Sequence, residues 1–142
     1  MFSIRTLSFE VKTKGNAELW DITANVEEQI RKSNIREGNA LIFVGGSTAA
    51  ITTIEFEPGL LSDYPDFLER IIPSNISYKH DETWHDGNGH SHIRASLQGA
   101  SFMVPFVDRN MLLGTWQQLV LVEFDTRPRT RKIIVQITGI EG

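Results

Sequence analysis

The sequence predicts an α+β fold: β-rich, mainly antiparallel sheets forming a sandwich or an incomplete barrel, with two or three helices. Many short segments alternate between polar and apolar residues or are rich in β-branched residues. Short turns join most of them, and only two or three segments carry helical spacing. The chain has 142 residues, 40% of them hydrophobic, with no internal repeat and no Gly/Ser/Pro-rich linker, so a single domain is expected over residues 1–142.

In residues 2–13, Phe2, Ile4, Leu7, Phe9 and Val11 mark a strand with a slip of phase at Arg5–Thr6. Lys14-Gly15-Asn16 is a turn. Asp21 caps a helix that runs to Asn34 on the stripe Ile22, Val26 and Ile30, with Arg31 and Lys32 suiting its C-terminus. Glu37-Gly38-Asn39 reads as a turn, Ala40–Val44 as a buried strand and Thr48–Glu57 as another strand. Pro58 opens a helix carrying Leu60, Leu61, Tyr64, Phe67, Leu68 and Ile71, which Pro65 should split and Pro73 closes.

Ser77–Lys79 reads as a short strand and Asp81–Asn88 as a polar loop. Over Gly89–Gln98, Asn88 as cap, Ile93 and Leu97 four apart, and Gly99 as a stop favour a helix. A strand starting at His90-Ser91-His92 is the alternative. Phe102–Val107, Leu112–Leu113, Leu119–Phe124 and Lys132–Thr138 are strands, with turns at Asp108–Asn110 and Asp125–Pro128.

Composition excludes several kinds of chemistry. No cysteine is present, which removes disulfides, zinc–thiolate and iron–sulfur sites and thiol nucleophiles. A net charge of −4, from 14 basic and 18 acidic residues, argues against a nucleic-acid partner but leaves room for a small cationic pocket. The alternating N-terminus has no signal-peptide core, and no run approaches the roughly 18 apolar residues of a membrane span. A cytoplasmic protein with no membrane partner and no organic cofactor is expected.

The four histidines, His80, His85, His90 and His92, all fall in one polar stretch with Asp81, Glu82, Asp86 and Asn88. Imidazoles and carboxylates suit zinc and similar ions, and neutral histidine carries protons near pH 7. On a strand, His90 and His92 would face the same way; on a helix they diverge by about 200°. Their spacing matches no metalloprotease or zinc-finger pattern, and a solvated loop is the plain alternative. Asp86-Gly87-Asn88-Gly89 leads into a helix N-terminus that could seat a phosphate, or is simply a flexible turn with an Asn cap.

Gly45-Gly46-Ser47-Thr48 follows a buried strand and offers backbone N–H groups and small hydroxyls, although it lacks the P-loop lysine and spacing. Glu55 and Glu57 share one side of a strand end. Trp116 and Gln117, in Gly114-Thr115-Trp116-Gln117-Gln118, suit a heterocycle. Arg127, Arg129 and Arg131 alternate, so an extended backbone puts them on one face, as a phosphate site or as a solubilising edge strand.

Several pieces together resemble the secondary thiamine-phosphate synthase, or YjbQ-like, family. They are Ser-Thr-Ala-Ala-Ile-Thr-Thr-Ile-Glu (47–55), Ile-Pro (72–73), Tyr-Lys-His (78–80), Gly-Asn-Gly-His-Ser-His-Ile-Arg-Ala-Ser-Leu-Gln-Gly (87–99), Val-Pro-Phe (104–106), Leu-Gly-Thr-Trp-Gln-Gln (113–118), Glu-Phe-Asp (123–125) and Arg-Pro-Arg-Thr-Arg (127–131). The resemblance implies a compact β-rich homotrimer that joins hydroxymethylpyrimidine diphosphate to thiazole phosphate with release of pyrophosphate. It carries over Glu55, His80, Asn88, His92, Gln117, Glu123 and Arg129 as site positions. Many members have a histidine where Gly46 stands here.

The expected catalytic residues are His80, His92, Glu55 and Gln117. Ser47, Thr48, Asn88, Gly89, Trp116, Arg127 and Arg129 are expected to hold substrate or phosphate. His80, His92 and Glu123 form the expected metal set for Mg²⁺ or Zn²⁺, with His85 and His90 as alternates. The expected partners are a small phosphorylated metabolite and two further copies of the chain, with Arg129 and His92 meeting across a subunit boundary. The alternative function is a non-catalytic trimer that binds a metal ion or such a metabolite.

Overall fold

The computed structural model describes all 142 residues. Its elements are β1 (Phe2–Lys12), β2 (Glu18–Asp21), α1 (Thr23–Ser33), β3 (Ile35–Val44), β4 (Ala49–Ile54), α2 (Pro58–Ile71), α3 (Lys79–Trp84), α4 (Gly89–Gln98), β5 (Ser101–Val107), β6 (Asn110–Met111), β7 (Gln118–Glu123) and β8 (Thr130–Glu141). A five-stranded sheet has the order β1-β8-β3-β5-β6 and a three-stranded sheet the order β2-β7-β4. Every pairing is antiparallel. The α+β class is as expected, as two sheets with no closed barrel and with four helices rather than two or three.

Side-chain periodicity builds the layers. In β8, Ile133, Val135 and Ile137 are buried while the residues between them lie outside or half-buried. β7 is covered on both faces. Leu119 and Leu121 join the main core with the β8 residues, whereas Val120, Val122 and the following Phe124 pack with Leu68 of α2 and Ala95 of α4. That double cover is why β7 reads as an unbroken apolar run. Leu121→Ala would cost ~2–5 kcal/mol. Val26 and Ile30 of α1 are fully buried in the main core.

Several expected elements take a different form. The β1–β8 register runs unbroken from Phe2↔Ile140 to Lys12↔Thr130. The supposed slip arises because Leu7, Phe9 and Val11 face the core, while Phe2 and Ile4 have the opposite parity and are exposed. The 37–39 turn is the interior of β3. Gly38 sits opposite Gly139, and a Cβ on either would lie 1.9 or 2.0 Å from a backbone oxygen of the other strand, so two glycines let the strands close.

Asp21 is not the cap of α1: Ile22 holds that position, and the Asp21 carboxylate accepts from the Thr23 N–H and hydroxyl. Pro65 does not split α2, because losing one N–H is offset by packing of Tyr64 and Leu68 on the second apolar cluster. Lys79, expected to end a strand, instead opens the short helix α3, which runs into the supposed loop. β2 and β6 are too short for their periodicity to show, and β6 stands at 110–111 rather than 112–113. No helix is long and apolar enough to cross a membrane.

Candidate functional site

At one end of the small sheet, the turn before β4 meets α4 and the segment after β7. Phe124 N–H donates to the Thr48 carbonyl, and Ala49 pairs with Glu123. A cleft of about 370 Å³ opens here, lined among others by Gly46, Ser47, Ala49, His92, Ser96 and Gly99. The backbone N–H groups of Gly46, Ser47 and Thr48 donate to no protein acceptor. Gly46 and Ser47 are exposed, Thr48 is buried, and free N–H groups at an exposed turn can serve as anion ligands.

His92 of α4 packs against His80 of α3, ring centres 4.4 Å apart and tilted by 56°. Burial, and then repulsion from His80, hold the His92 pKa below its ordinary value, against the opposing pull of Asp125, Asp86 and Asp81. His92 is therefore predominantly neutral at pH 7, able to accept a proton or donate a hydrogen bond. His80 Nε2, Asn88 Oδ1 and Ser91 Oγ are buried without hydrogen-bond partners. Each such atom costs ~1–3 kcal/mol if left unpaired.

Behind the cleft lies a charged network. Asp125, fully buried, accepts from Arg129 Nε and Nη2 at 2.9 and 2.7 Å, the Thr48 hydroxyl, the Asn88 amide and the Thr126 N–H. Burial pushes its pKa up, but these donors and the Arg129 charge prevail and lower it to about 2. Glu123, also fully buried, takes Arg131 Nε at 2.8 Å and Nη2 at 2.5 Å, and accepts from the Thr13 hydroxyl at 2.6 Å. Arg131 Nη2 also donates to the Thr48 hydroxyl at 2.7 Å.

The expected site residues fall into two groups. His80, His92, Ser47, Thr48, Asn88, Arg129 and Glu123 gather at this end of one chain. Arg129 and His92 thus flank the same Asp125 within one subunit, rather than meeting only across a boundary. Gly89 is not open to an anion, since its N–H donates to Asp81 Oδ1 at 3.0 Å. Asn88 is buried and committed to Asp125. Arg127 is exposed.

The arginine row is no solubilising edge: β8 is flanked by β1 and β3, and Arg131 points inward in phase with Ile133. Glu55 and Trp116 lie beyond the other end of β4. They line a separate recess of about 410 Å³ with Asp21 and Glu57, and Gln117 bonds there to Thr53 and the Gly114 N–H. Six strand residues at ~3.3 Å each put about 20 Å between the two ends.

The expected metal set is not assembled. No three His, Asp or Glu side chains stand together around one point, and the Glu123 carboxylate is already engaged by Arg131. His85 ends α3 on the surface. His90 is buried and turned towards Tyr78, in a different recess with Glu69 and Arg94. The helical geometry expected of residues 90–92 is what separates it from His92.

Of the residues that build the site, Asp125 was not assigned to it from sequence, and Arg131 was expected only as one member of an alternating arginine face. A signal existed for their partner Glu123, a single carboxylate inside the apolar run Leu119–Phe124, which demands a buried cation.

Known proteins share this architecture. The family profile described as UPF0047 protein YjbQ-like matches residues 7–140. A UPF0047 protein of Archaeoglobus fulgidus is 38% identical over 92% of this chain and 98% of its own length, and YugU of Bacillus subtilis is 33% identical over 93% and 98%. A crystal structure of a YbjQ-like protein of unknown function from Sulfolobus solfataricus has a TM-score of 0.86 and 35% identity, over 96% of this chain and 99% of that one. These names state no reaction, and none supports the thiamine-phosphate synthase assignment. By profile, identity and coverage together, the chain belongs to the UPF0047 YjbQ-like family.

Proposed function

We propose that the chain binds a small phosphorylated metabolite in the cleft beside His92 and catalyses group transfer there. The reaction is the one its sequence resemblance implies, thiamine phosphate formation. The carrying observation is the set of unpaired N–H groups of Gly46, Ser47 and Thr48 next to a neutral, half-buried histidine.

In that reaction the thiazole nitrogen lone pair forms the new C–N bond at the pyrimidine methylene. The C–O bond to the diphosphate breaks, and pyrophosphate leaves with the electron pair. What must be stabilised is charge gathering on the leaving group, for which N–H donors are suited. The neutral His92 ring donates a hydrogen bond to the departing diphosphate, and His80 holds that ring in place. No protein-bound metal enters this scheme.

The protein acts as a homotrimer in the cytoplasm. Support for subunit contact comes from the outer face of the large sheet, where Phe2, Ile4, Phe43, Met103 and Ile140 are exposed together.

Purified protein with both substrates and Mg²⁺ should yield thiamine phosphate, and His92→Ala should lower the rate at least a hundredfold. No product above the His92→Ala control would sink the synthase reading. A second reading, metabolite binding without turnover, is favoured by the remoteness of Glu55, Trp116 and Gln117, which leaves the cleft of a single chain without them. Pyrophosphate binding without product would select it.

A further inference from the structure

Arg131 spends only part of its donor capacity inside the protein. Its Nε and Nη2 are engaged by Glu123 and Thr48, whereas Nη1 makes no hydrogen bond. That nitrogen lies under Gly46: a Cβ built there would stand 2.8 Å from Nη1, closer than real Cβ atoms come. Gly46 also lines the cleft shared with His92. Gly46 thus borders both the ligand space and an arginine nitrogen with two free N–H groups.

The Arg131 guanidinium cannot swing aside to make room, since the fork to Glu123 and the bond to Thr48 fix its plane. The carboxylate also lies on the side away from Nη1. The ion pair therefore presents its positive end towards Gly46, although its net charge is zero.

We propose that Gly46 is an aperture through which Arg131 Nη1 binds a phosphate group of the ligand, so that the residue at position 46 determines whether the cleft accepts phosphate. This rests on reading the cleft as a phosphorylated-metabolite site and names the side chain that recognises the phosphate. The Gly46 and Ser47 N–H groups supply further donors, and Arg131 gives the fixed charge that they lack.

The test compares pyrophosphate binding to wild-type protein, Gly46→Ala and Gly45→Ala by calorimetry, with thermal melting to confirm folding. Gly45 does not line the cleft, and a Cβ there meets only Phe43 at an ordinary 3.8 Å. Gly46→Ala should weaken binding at least tenfold, while Gly45→Ala leaves it unchanged. Equal binding by wild type and folded Gly46→Ala overturns the role of Arg131 but keeps the phosphate site. Absence of binding to wild type overturns the site itself, and the inference with it.

Should Gly46→Ala fail to fold, nitrogen-15 spectra of the arginine side chains in wild-type protein give the same answer. Pyrophosphate should move the Arg131 Nη resonances, and unmoved resonances during saturable binding would overturn the proposal.

Discussion

The His80 and His92 rings stand 4.4 Å apart on two different helices, and this pairing adds to the effect of burial on the acid response of the site. His92 lies below its ordinary pKa because of burial and His80, and His90 because of burial and Arg94. In the unfolded chain both return to about 6.5. Between the folded and unfolded values the unfolded chain binds more protons, so stability rises with pH across that window. The contribution is present above about pH 6.5 and is lost as pH falls through the folded values. Urea midpoints should therefore drop from pH 7.5 to pH 5, and His92→Gln should flatten the drop. A wild-type midpoint that does not move would contradict this account.

Arg131 and Glu123 form a buried pair whose two halves need each other. Arg131→Met leaves a carboxylate with 0% exposure facing Thr13 and the Asp125 N–H alone, and should cost ~3–5 kcal/mol. At ~2–4 °C per kcal/mol, the melting temperature should fall by about 10 °C. Arg131→Met combined with Glu123→Leu should recover most of that loss, since an apolar pair is a tolerable substitute in such a site. A double variant less stable than the single one would show that the pair is held by something other than mutual charge compensation.

What the sequence disclosed of this site follows from how far each signal reaches along the chain. The helix at Gly89–Gln98 was legible because its cap position, its i and i+4 apolar pair and its stop glycine all lie within a dozen residues. That reading correctly separated His90 from His92. α3 was not legible: six residues with five polar or charged side chains have no apolar stripe to count. The inward turn of Arg131 depends on β8 being an interior strand, a fact of pairing that alternation alone does not contain. Glu55 and Trp116 were grouped with the histidines because residue type carries no distance. The length of β4 separates them.

Asp125 gives the site a second acid window. Its pKa of about 2, against 3.8 for the free side chain, means that its contribution is fully present above the unfolded value and lost as pH falls through about 2. The shift corresponds to about 2 kcal/mol. Asp125→Asn should be less stable at neutral pH, since the Arg129 fork loses its charged acceptor. It should also lose less on acidification from about pH 4 to about pH 2. Identical acid slopes for the variant and the wild type would show that another carboxylate dominates there.

The outer face of the five-stranded sheet predicts how copies of the chain associate. Ile4 and Met103 are 58% and 57% exposed and belong to neither core cluster, so replacing them removes little folding energy. Together with Phe2, Phe43 and Ile140 they make an apolar surface that a monomer would leave in water. Light scattering should give a mass of about 48 kDa, three copies of a 16.1 kDa chain. Ile4→Lys with Met103→Glu should reduce the mass to that of one chain while the melting transition stays cooperative. Phosphate binding in the cleft should survive, because Gly46, Arg131 and His92 all come from a single copy. If the double variant keeps the trimer mass, the contact lies on another face; if it dissociates and loses the ligand as well, a neighbouring chain completes the cleft.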